Sequence, residues 1–265
     1  MSKTLILIPS RLSATRLPGK PLLEINGIPM ILHVVNKALS TKIGRVIVAT
    51  EDKEIFDVVK ESGNEVLMTG SHHNTGTDRI YEALQKLDYK NIDLIMNLQG
   101  DEPLIPIENI EQVAQNLQSQ IDAKRYNPEV VVATLCSKIN ELDEILDPNA
   151  VKVVFDQNKL ALYFSRAPIP YARDFFPNDL PKNLSENKSY QAYRHIGLYA
   201  YKCKFLRDYA KLCESCDKNY DIASWESLEQ LKVMSLGYRI HVDINAKISP
   251  AGVDTEGDLE RVRKN

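Results

Sequence analysis

The first half of the chain alternates short apolar runs with segments of helical periodicity, and this alternation constrains the fold more than any other feature. The apolar runs lie at residues 4–8, 45–50, 65–68 and 93–98, and the helical segments lie at 29–39, 52–61, 77–87 and 107–117. Strands that alternate with helices form βαβ units, in which helices cover a parallel sheet. The sequence therefore predicts an α/β fold with a mainly parallel, twisted sheet and helices on both faces.

The second half of the chain is less regular. We expect a strand at 130–134, a hairpin formed by 151–155 and 161–164, a strand at 193–201, a helix at 225–236, a strand at 239–244 and a helix at 255–263. Residues 167–191 are rich in Pro, Asn, Lys and Ser without a steady apolar period, which is typical of an irregular excursion. We predict a single domain over residues 1–265, with an insertion at about residues 156–200.

Charge and hydropathy exclude several classes of protein. The formal net charge is -3 at pH 7, which gives no sign of binding to nucleic acid or to an anionic membrane. No apolar run approaches the roughly 20 residues that span a bilayer, and the N-terminus has no secretory pattern. Cys213 and Cys216 have C-x-x-C spacing, but no second pair completes a zinc site. We expect a soluble, cytoplasmic protein with reduced thiols.

A basic loop follows the first strand. Residues 8–21 read IPSRLSATRLPGKP and place Arg11, Arg16 and Lys20 at the carboxyl end of that strand, where α/β sheets bind ligands. Arginine grips phosphate oxygens in pairs and lysine acts as a mobile point charge, so the loop suits a polyanion. The Walker spacing is absent, and a solvated basic turn is the alternative. The PGKP end stiffens the loop and favours a phosphate site.

Two acidic loops are candidates for metal binding. Asp101 follows the predicted strand 93–98 in the run LQGDEP, where a carboxylate can hold a divalent cation that bridges phosphate oxygens. The alternative is a solvated acid that caps the next helix. Asp254, in the run AGVDT, could instead serve the start of the closing helix. A shared metal requires Asp254 to fold back beside Asp101, which spacing alone does not establish.

Polar residues at predicted helix starts and strand faces suggest contacts with a base or ribose and with an acidic, hydroxyl-rich substrate. The run HNTGTDR offers hydrogen bonds to a base or ribose, although helix capping accounts for the same residues. Strand alternation places His195 and Tyr199 on one face, and Arg166 and Arg173 follow the hairpin. These groups suit an acidic, hydroxyl-rich substrate. A structural histidine is the alternative for His195, and a solvated helix face is the alternative for the pair at 229–230.

Together these runs resemble the 3-deoxy-D-manno-octulosonate (Kdo) cytidylyltransferases, also called CMP-Kdo synthetases. The landmarks extend from Ile6 to Val262 and are, in order, IPSR, TRLPGKPL, VATED, NTGTDR, NLQGDEP, NAVKVV, ALYFSRAPIP, YRHIGLYAY, LEQL and GVDTEGDLERV. The resemblance implies a nucleotide-diphospho-sugar transferase-like fold. It also implies transfer of CMP from CTP to the anomeric hydroxyl of Kdo for lipopolysaccharide biosynthesis, with Mg²⁺ as cofactor. A homodimer formed partly by the insertion is a further implication.

The resemblance also implies roles for individual residues. The catalytic residues are Lys20, Arg16, Asp101 and Asp254, of which Asp101 and Asp254 bind magnesium. The CTP-binding residues are Pro9, Ser10, Arg11, Thr75, Gly76, Thr77 and Arg79. The sugar-binding residues are Gln99, Arg166, Arg173, His195, Tyr199, Glu229 and Gln230.

Three other functions fit parts of the pattern. Another acid sugar, such as a sialic acid or 8-amino-Kdo, could replace Kdo as the acceptor. A sugar-1-phosphate nucleotidyltransferase would carry a Gly-rich opening before Thr-Arg-Leu, which this chain lacks. A nucleotide-binding sensor without catalysis is disfavoured because Lys20, Asp101 and Asp254 occur together.

Overall fold

A computed structural model describes residues 3–13, 16–73, 75–87, 91–173, 184, 190–214, 220–250 and 252–264. The strands are β1 (Thr4–Ser10), β2 (Glu24–Ile25), β3 (Ile28–Pro29), β4 (Gly44–Thr50), β5 (Val66–Met68), β6 (Leu94–Leu98), β7 (Val130–Lys138), β8 (Lys152–Phe155), β9 (Ala161–Ser165), β10 (Tyr193–Lys202) and β11 (Arg239–Ile244). The α-helices are α1 (Met30–Ser40), α2 (Lys53–Glu61), α3 (Gly76–Lys86), α4 (Ile107–Ala123), α5 (Leu142–Leu146), α6 (Cys203–Glu214), α7 (Ile222–Glu226), α8 (Gln230–Ser235) and α9 (Glu256–Arg263).

One mixed sheet forms the centre of the fold. Its main path runs β11-β7-β10-β6-β1-β4-β5, and the β8–β9 hairpin attaches to β10. Strand β1 is parallel to β4 and β6, β4 is parallel to β5, and β7 is parallel to β11. The predicted mainly parallel sheet is therefore confirmed. Strand β10 is the exception on this main path, because it pairs antiparallel with both β6 and β7.

Helices cover both faces of this sheet, as the strand pattern predicts. In β1, Ile6 and Ile8 pack with α1, α2 and α4, whereas Leu5 and Leu7 pack with α3 and α6 on the opposite face. All four of these side chains are completely buried. A strand that is apolar on both faces belongs in the middle of a covered sheet, which is where β1 lies.

The second half differs from the sequence expectation in two places. The predicted continuous helix at 225–236 is wrong, because Ser227 takes a left-handed conformation with φ of 51° between α7 and α8. Leu228 then turns into the core. Helix α6 and the short helix α5 were not expected from periodicity. Cys216 and most of the predicted excursion, at 174–183 and 185–189, lie outside the described residues.

The topology brings the candidate ligand-binding segments to one edge of the sheet. The basic loop leaves the carboxyl end of β1, and the run from Gln99 to Asp101 leaves the carboxyl end of the adjacent parallel strand β6. Helix α3 begins at the same edge, beside Pro9. Within the described ranges, no helix combines the length and apolar composition that crossing a membrane requires.

Candidate active site

Two adjoining clefts open at this edge. The smaller cleft, of about 330 Å³, is lined by the basic loop, the start of α3, the segment after β6 and Asp254. The larger cleft, of about 1200 Å³, lies between β10, the α7–α8 turn and the segments at 144–151 and 249–258. All the predicted site residues except Thr77 and Arg173 line one or both clefts. The residues shared by both clefts are Arg11, Arg16, Gln99 and Asp254.

The basic loop is closed at its base by Leu12. The Leu12 amide donates to Asp52 Oδ2 at 2.7 Å, and the Leu12 carbonyl accepts from the Gly19 amide at 3.0 Å. Gly19 has φ of 69°, a left-handed conformation that glycine adopts without steric cost, and Lys20 begins a short 3-10 turn directly after it. The two bonds of Leu12 therefore hold the start and the end of the loop together, which places Arg16 and Lys20 over the smaller cleft.

Lys20 bridges the two aspartates that are far apart in the sequence. Its Nζ donates to Asp101 Oδ2 at 2.5 Å, to Asp254 Oδ1 at 2.9 Å and to the Val253 carbonyl at 3.2 Å. Arg16 Nη2 donates to the other oxygen of Asp254 at 2.9 Å. Burial opposes the charge on Lys20, but the carboxylates of Asp101 and Asp254 outweigh that effect and raise its pKa.

Backbone contacts explain how Asp254 reaches Asp101. The Val253 amide donates to the Asp101 carbonyl at 2.9 Å, and a Cβ on Gly252 would lie 3.2 Å from that same oxygen. Helix α9 is capped without Asp254, because Thr255 and Asp258 form a reciprocal capping box. The carboxylate of Asp254 is therefore available to the cleft, which resolves the ambiguity left by its position before a helix.

The donor set around Lys20 fits a hard divalent cation. Two carboxylates from separate segments already surround one ammonium ion, and carboxylate oxygens are ligands that Mg²⁺ prefers. Burial, together with the neighbouring Asp101 carboxylate, raises the pKa of Glu102 to about 8. Asp101 and Asp254 are the two carboxylates that contact Lys20 at this point.

The base of the smaller cleft combines close backbone approach with a polar atom that has no partner. Ser10 Oγ is buried and has no hydrogen-bond partner among the described residues. A Cβ on Gly100 would lie 3.2 Å from the Pro9 carbonyl, and a Cβ on Gly76 would lie 3.4 Å from the Pro9 ring. Glycine at both positions keeps the floor of the cleft open, and Ser10 offers a hydroxyl to a ligand there.

Thr75 and Thr77 have structural partners at the start of α3. Thr75 caps the helix, because its hydroxyl accepts from the Asp78 amide at 3.1 Å. The Thr77 hydroxyl lies 3.3 Å from the Tyr201 hydroxyl, and the Thr77 amide donates to Glu229 Oε2 at 3.3 Å. Burial raises the pKa of Glu229, although these hydrogen bonds oppose the shift. Glu229 thus connects the start of α3 to the larger cleft.

Arg79 is held in an ion pair below the smaller cleft. Its Nη2 donates to Glu51 Oε2 at 2.5 Å, and its Nη1 donates to Thr69 Oγ1 at 2.6 Å and to the Gly70 carbonyl at 3.2 Å. Only 3% of the Arg79 side chain is exposed. The guanidinium therefore fastens α3 to the ends of β4 and β5, and its part in ligand binding stays a prediction.

His195 lies in the larger cleft as a buried, neutral imidazole. Its Nε2 is 3.0 Å from Thr134 Oγ1, whose single proton serves the carbonyls of Ile196 and Leu198. His195 Nε2 is therefore the donor to Thr134, and Nδ1 is an acceptor. Burial and the nearby Arg194 lower the pKa of His195 to about 3.

Tyr199 and Gln230 form the wall beside His195. The Tyr199 hydroxyl donates to Gln230 Oε1 at 3.3 Å, while Gln230 Nε2 is buried without a partner among the described residues. An amide donor in this position needs an acceptor, because an unpaired buried polar group is costly. A hydroxyl or carboxylate of a ligand in the larger cleft is the kind of group that fits.

Arg166 joins two walls of the larger cleft. Its guanidinium donates to the carbonyls of Glu226 at 2.7 Å, Pro148 at 2.8 Å and Ser227 at 3.3 Å. It therefore positions the α7–α8 turn against the segment at 147–150. Arg173 is exposed and is not one of the residues that line either cleft, so its role as a sugar ligand stays a prediction.

The larger cleft also contains polar residues that the sequence reasoning did not assign. Asn149 Oδ1 accepts from Arg16 Nη1 at 3.4 Å. Arg194 donates to Glu144 Oε1 at 2.7 Å and to the Ser249 carbonyl at 3.2 Å, which ties down the segment that leads to Asp254. Both residues lie within runs that carry the family resemblance, NAVKVV and YRHIGLYAY. The resemblance of those runs to the family could have drawn attention to Asn149 and Arg194, but the contacts that these two residues make depend on tertiary structure.

Comparisons with known proteins match this sequence and this architecture. The sequence profile of the family described as "Cytidylyltransferase" matches residues 5–242. A 3-deoxy-manno-octulosonate cytidylyltransferase from Francisella tularensis is 49% identical over 264 residues, covering 100% of this chain and 98% of that protein. A solved structure of a CMP:2-keto-3-deoxy-manno-octonic acid synthetase complexed with CTP has a TM-score of 0.83 and 37% identity, covering 99% of this chain and 98% of that chain. A putative glucose-1-phosphate thymidylyltransferase from Bacillus anthracis has a TM-score of 0.60 at 16% identity, covering 100% of this chain and 94% of that one, and this likeness shows the fold alone.

Proposed function

Because the chain belongs to the cytidylyltransferase family, and within it to the 3-deoxy-manno-octulosonate (Kdo) cytidylyltransferases, we propose that its two clefts transfer CMP from CTP to Kdo. CTP occupies the smaller cleft and Kdo occupies the larger one. The observation that carries this assignment is the junction between the clefts, where Lys20 bridges Asp101 and Asp254. Reactants held in the two clefts meet at that junction.

The reaction is an in-line displacement at the α-phosphorus of CTP. The anomeric oxygen of Kdo bonds to that phosphorus, the bond to the pyrophosphate oxygen breaks, and the hydroxyl proton is released with the products. Arg11, Arg16 and Lys20 stabilise the charge on the phosphate oxygens, since fixed cations are most effective in a partly dehydrated site. Gln99, His195 and Gln230 orient the sugar acid, which reduces the entropic cost of bringing two substrates together.

Asp101 and Asp254 are the residues that would hold Mg²⁺. When bound, the ion neutralises charge on the phosphate oxygens and orients them. The support for this assignment is the chemistry of the donors, two carboxylates from separate segments that converge on one cation. Lys20 must move away from at least one carboxylate when the ion binds, and the triphosphate is the anion that then pairs with it.

The test is pyrophosphate release by the purified full chain with CTP and one sugar at a time. We expect turnover with Kdo, with a kcat/KM well above those for a sialic acid and 8-amino-Kdo. Chelation of divalent ions should stop turnover, and added MgCl₂ should restore it. A higher kcat/KM with another sugar would show that this sugar, and not Kdo, is the preferred substrate. CTP binding without any pyrophosphate release would favour a nucleotide-binding sensor instead.

We also propose that the chain acts as a homodimer through the region at about residues 156–200. Support comes from the family resemblance and from two apolar side chains in this region, Leu162 and Tyr171, each 60% exposed. Light scattering on the eluting protein should give twice the chain mass, and Leu162→Glu should shift it toward the monomer. A monomeric mass for the unmodified protein would contradict this proposal.

A further inference from the structure

Three metal-ligating side chains converge between β5 and α3, away from the two clefts. They are His72, His73 and Glu82, and one ligand atom from each lies within 4.8 Å of the other two. The two imidazole rings are 4.3 Å apart between centroids, and His73 Nε2 contacts Glu82 Oε2 directly. The carboxylate comes from a helix and the imidazoles from the segment before it. The group therefore connects α3 to the chain that leads into it.

Gly70 lies against two of the three donors. A Cβ at this position would lie 2.6 Å from the His72 ring and 3.3 Å from Glu82 Oε2, so the exposed His72 ring would have to shift to admit one. The Gly70 amide also donates to Glu82 Oε2 at 2.9 Å, which fixes that carboxylate facing the imidazoles. The three donors are therefore held close together by the local backbone.

A cation already occupies the outer side of the carboxylate. Lys86 Nζ lies 2.6 Å from Glu82 Oε1 and donates to the Met68 carbonyl at 3.0 Å. The carboxylate therefore presents Oε2 to the imidazoles and Oε1 to Lys86.

We propose that His72, His73 and Glu82 bind one divalent transition-metal ion of the Zn²⁺ type. Two imidazoles and one carboxylate are a donor set that suits Zn²⁺, with a water molecule as fourth ligand, whereas Mg²⁺ prefers oxygen ligands. The ion binds separately from Asp101 and Asp254. It fastens the segment before Thr75 to the second turn of α3, and Thr75 lines the smaller cleft.

The test titrates ZnCl₂ into the full chain, after removal of metals and without nucleotide, by isothermal calorimetry. We expect one equivalent to bind. His72→Ala should weaken binding by at least the roughly tenfold that loss of an outer-shell partner typically costs. His72 is exposed, so this variant should fold. Lys86→Met should strengthen binding, because it removes the cation that competes for Glu82. A cluster that only stabilises the fold would not bind zinc more tightly after Lys86→Met.

The cysteines are the competing ligands, and CoCl₂ separates them from the proposed site. Cobalt bound by imidazoles and a carboxylate gives weak visible bands, whereas thiolate ligation adds intense near-ultraviolet absorption. We expect the visible bands alone, unchanged in Cys213→Ser and lost in Glu82→Gln. Thiolate absorption that disappears in Cys213→Ser would overturn the proposal. Equal zinc affinity in the unmodified protein, His72→Ala and Glu82→Gln would also overturn it.

Discussion

The ammonium nitrogen of Lys20 lies 2.5 Å from Asp101 Oδ2, although the two residues belong to loops after different strands. The same nitrogen contacts Asp254, so one cation holds together the two acids proposed to bind magnesium. Lys20 is attached to a loop with a fixed base, and its side chain is only 14% exposed. Its charge therefore competes with a metal ion for the same carboxylates.

Replacing Lys20 should separate its effect on metal binding from its effect on turnover. In Lys20→Met the carboxylates of Asp101 and Asp254 lose their internal cation, so Mn²⁺, as a probe for Mg²⁺, should bind the nucleotide-free protein more tightly. Turnover should fall, because the phosphate oxygens lose a positive charge. Free Mn²⁺ measured by electron paramagnetic resonance reports the first effect. Lys53→Met, at an exposed pair on α2, is the control. Weaker Mn²⁺ binding in Lys20→Met would contradict this account.

Asp101→Asn should reduce kcat strongly. The amide keeps the size of the side chain but removes the charge that a divalent cation and Lys20 require. Loss of one electrostatic contact in an active site typically costs about 10²–10³ in kcat, or roughly 3–4 kcal/mol. The measurement is pyrophosphate release at saturating CTP, Kdo and MgCl₂. Asp208→Asn, at an exposed pair on α6, should leave kcat unchanged. Near-normal turnover of folded Asp101→Asn would remove Asp101 from the mechanism.

Asp52 should control nucleotide binding without touching the nucleotide. Its carboxylate accepts from the Leu12 amide at the base of the basic loop, and such charge-assisted bonds contribute about 1.5–3 kcal/mol. Asp52→Ala should therefore raise the KM for CTP by roughly tenfold or more, since the loop loses its anchor. Asp52→Asn keeps an acceptor and should show a smaller effect. Equal KM values in all three proteins would show that the loop holds its shape without this bond.

Local periodicity explains which parts of the fold could be predicted. Strand β1 contains an unbroken apolar run from Leu5 to Ile8, and α3 follows a threonine that caps it, so both follow from short-range pattern. The α7–α8 break does not, because Ser227 adopts a positive φ only where burial of Leu228 compensates for it. Strand β10 was predicted with nearly correct bounds, but its antiparallel pairing with β6 and β7 depends on tertiary structure.

In the candidate site, too, the sequence predicts the types of functional residue, whereas their contacts depend on tertiary structure. The charged types at Lys20, Asp101 and Asp254 indicated a phosphate and metal site, but their meeting depends on the Val253–Asp101 backbone bond, which no local pattern specifies. Arg79 was assigned to the CTP site by the family resemblance, and that role stays a prediction. Its contact with Glu51, a residue at a different strand end, could not be predicted from local pattern.

The Arg79–Glu51 pair should contribute mainly to stability. Breaking a buried pair leaves an uncompensated charge, which typically costs about 3–5 kcal/mol. Arg79→Met should therefore lower the free energy of unfolding by roughly 3 kcal/mol in urea titrations, and adding Glu51→Gln should recover part of that loss. Arg45→Met breaks an exposed Arg–Glu pair and should cost less than about 1 kcal/mol. A large rise in the KM for CTP with unchanged stability would instead assign Arg79 to nucleotide binding.

His195 should make the folded protein sensitive to acid. Its folded pKa of about 3 lies below the ordinary value near 6.5, so between these values the unfolded chain binds a proton that the folded protein excludes. The stability present above pH 6.5 is therefore lost as the pH falls, by up to about 1.4 kcal/mol per pH unit. Between pH 7 and pH 5 this contribution amounts to roughly 2 kcal/mol.

His195→Gln isolates that contribution, because glutamine can still donate to Thr134 but does not titrate. The free energy of unfolding of both proteins is measured in urea at pH 7 and at pH 5. We expect its decrease between these pH values to be roughly 2 kcal/mol smaller in the variant than in the unmodified protein. Comparing the pH-dependent losses removes any constant cost of the substitution. An equal loss in both proteins would mean that His195 accepts a proton in the folded state, and the neutral acceptor proposed for the sugar site would then be incorrect.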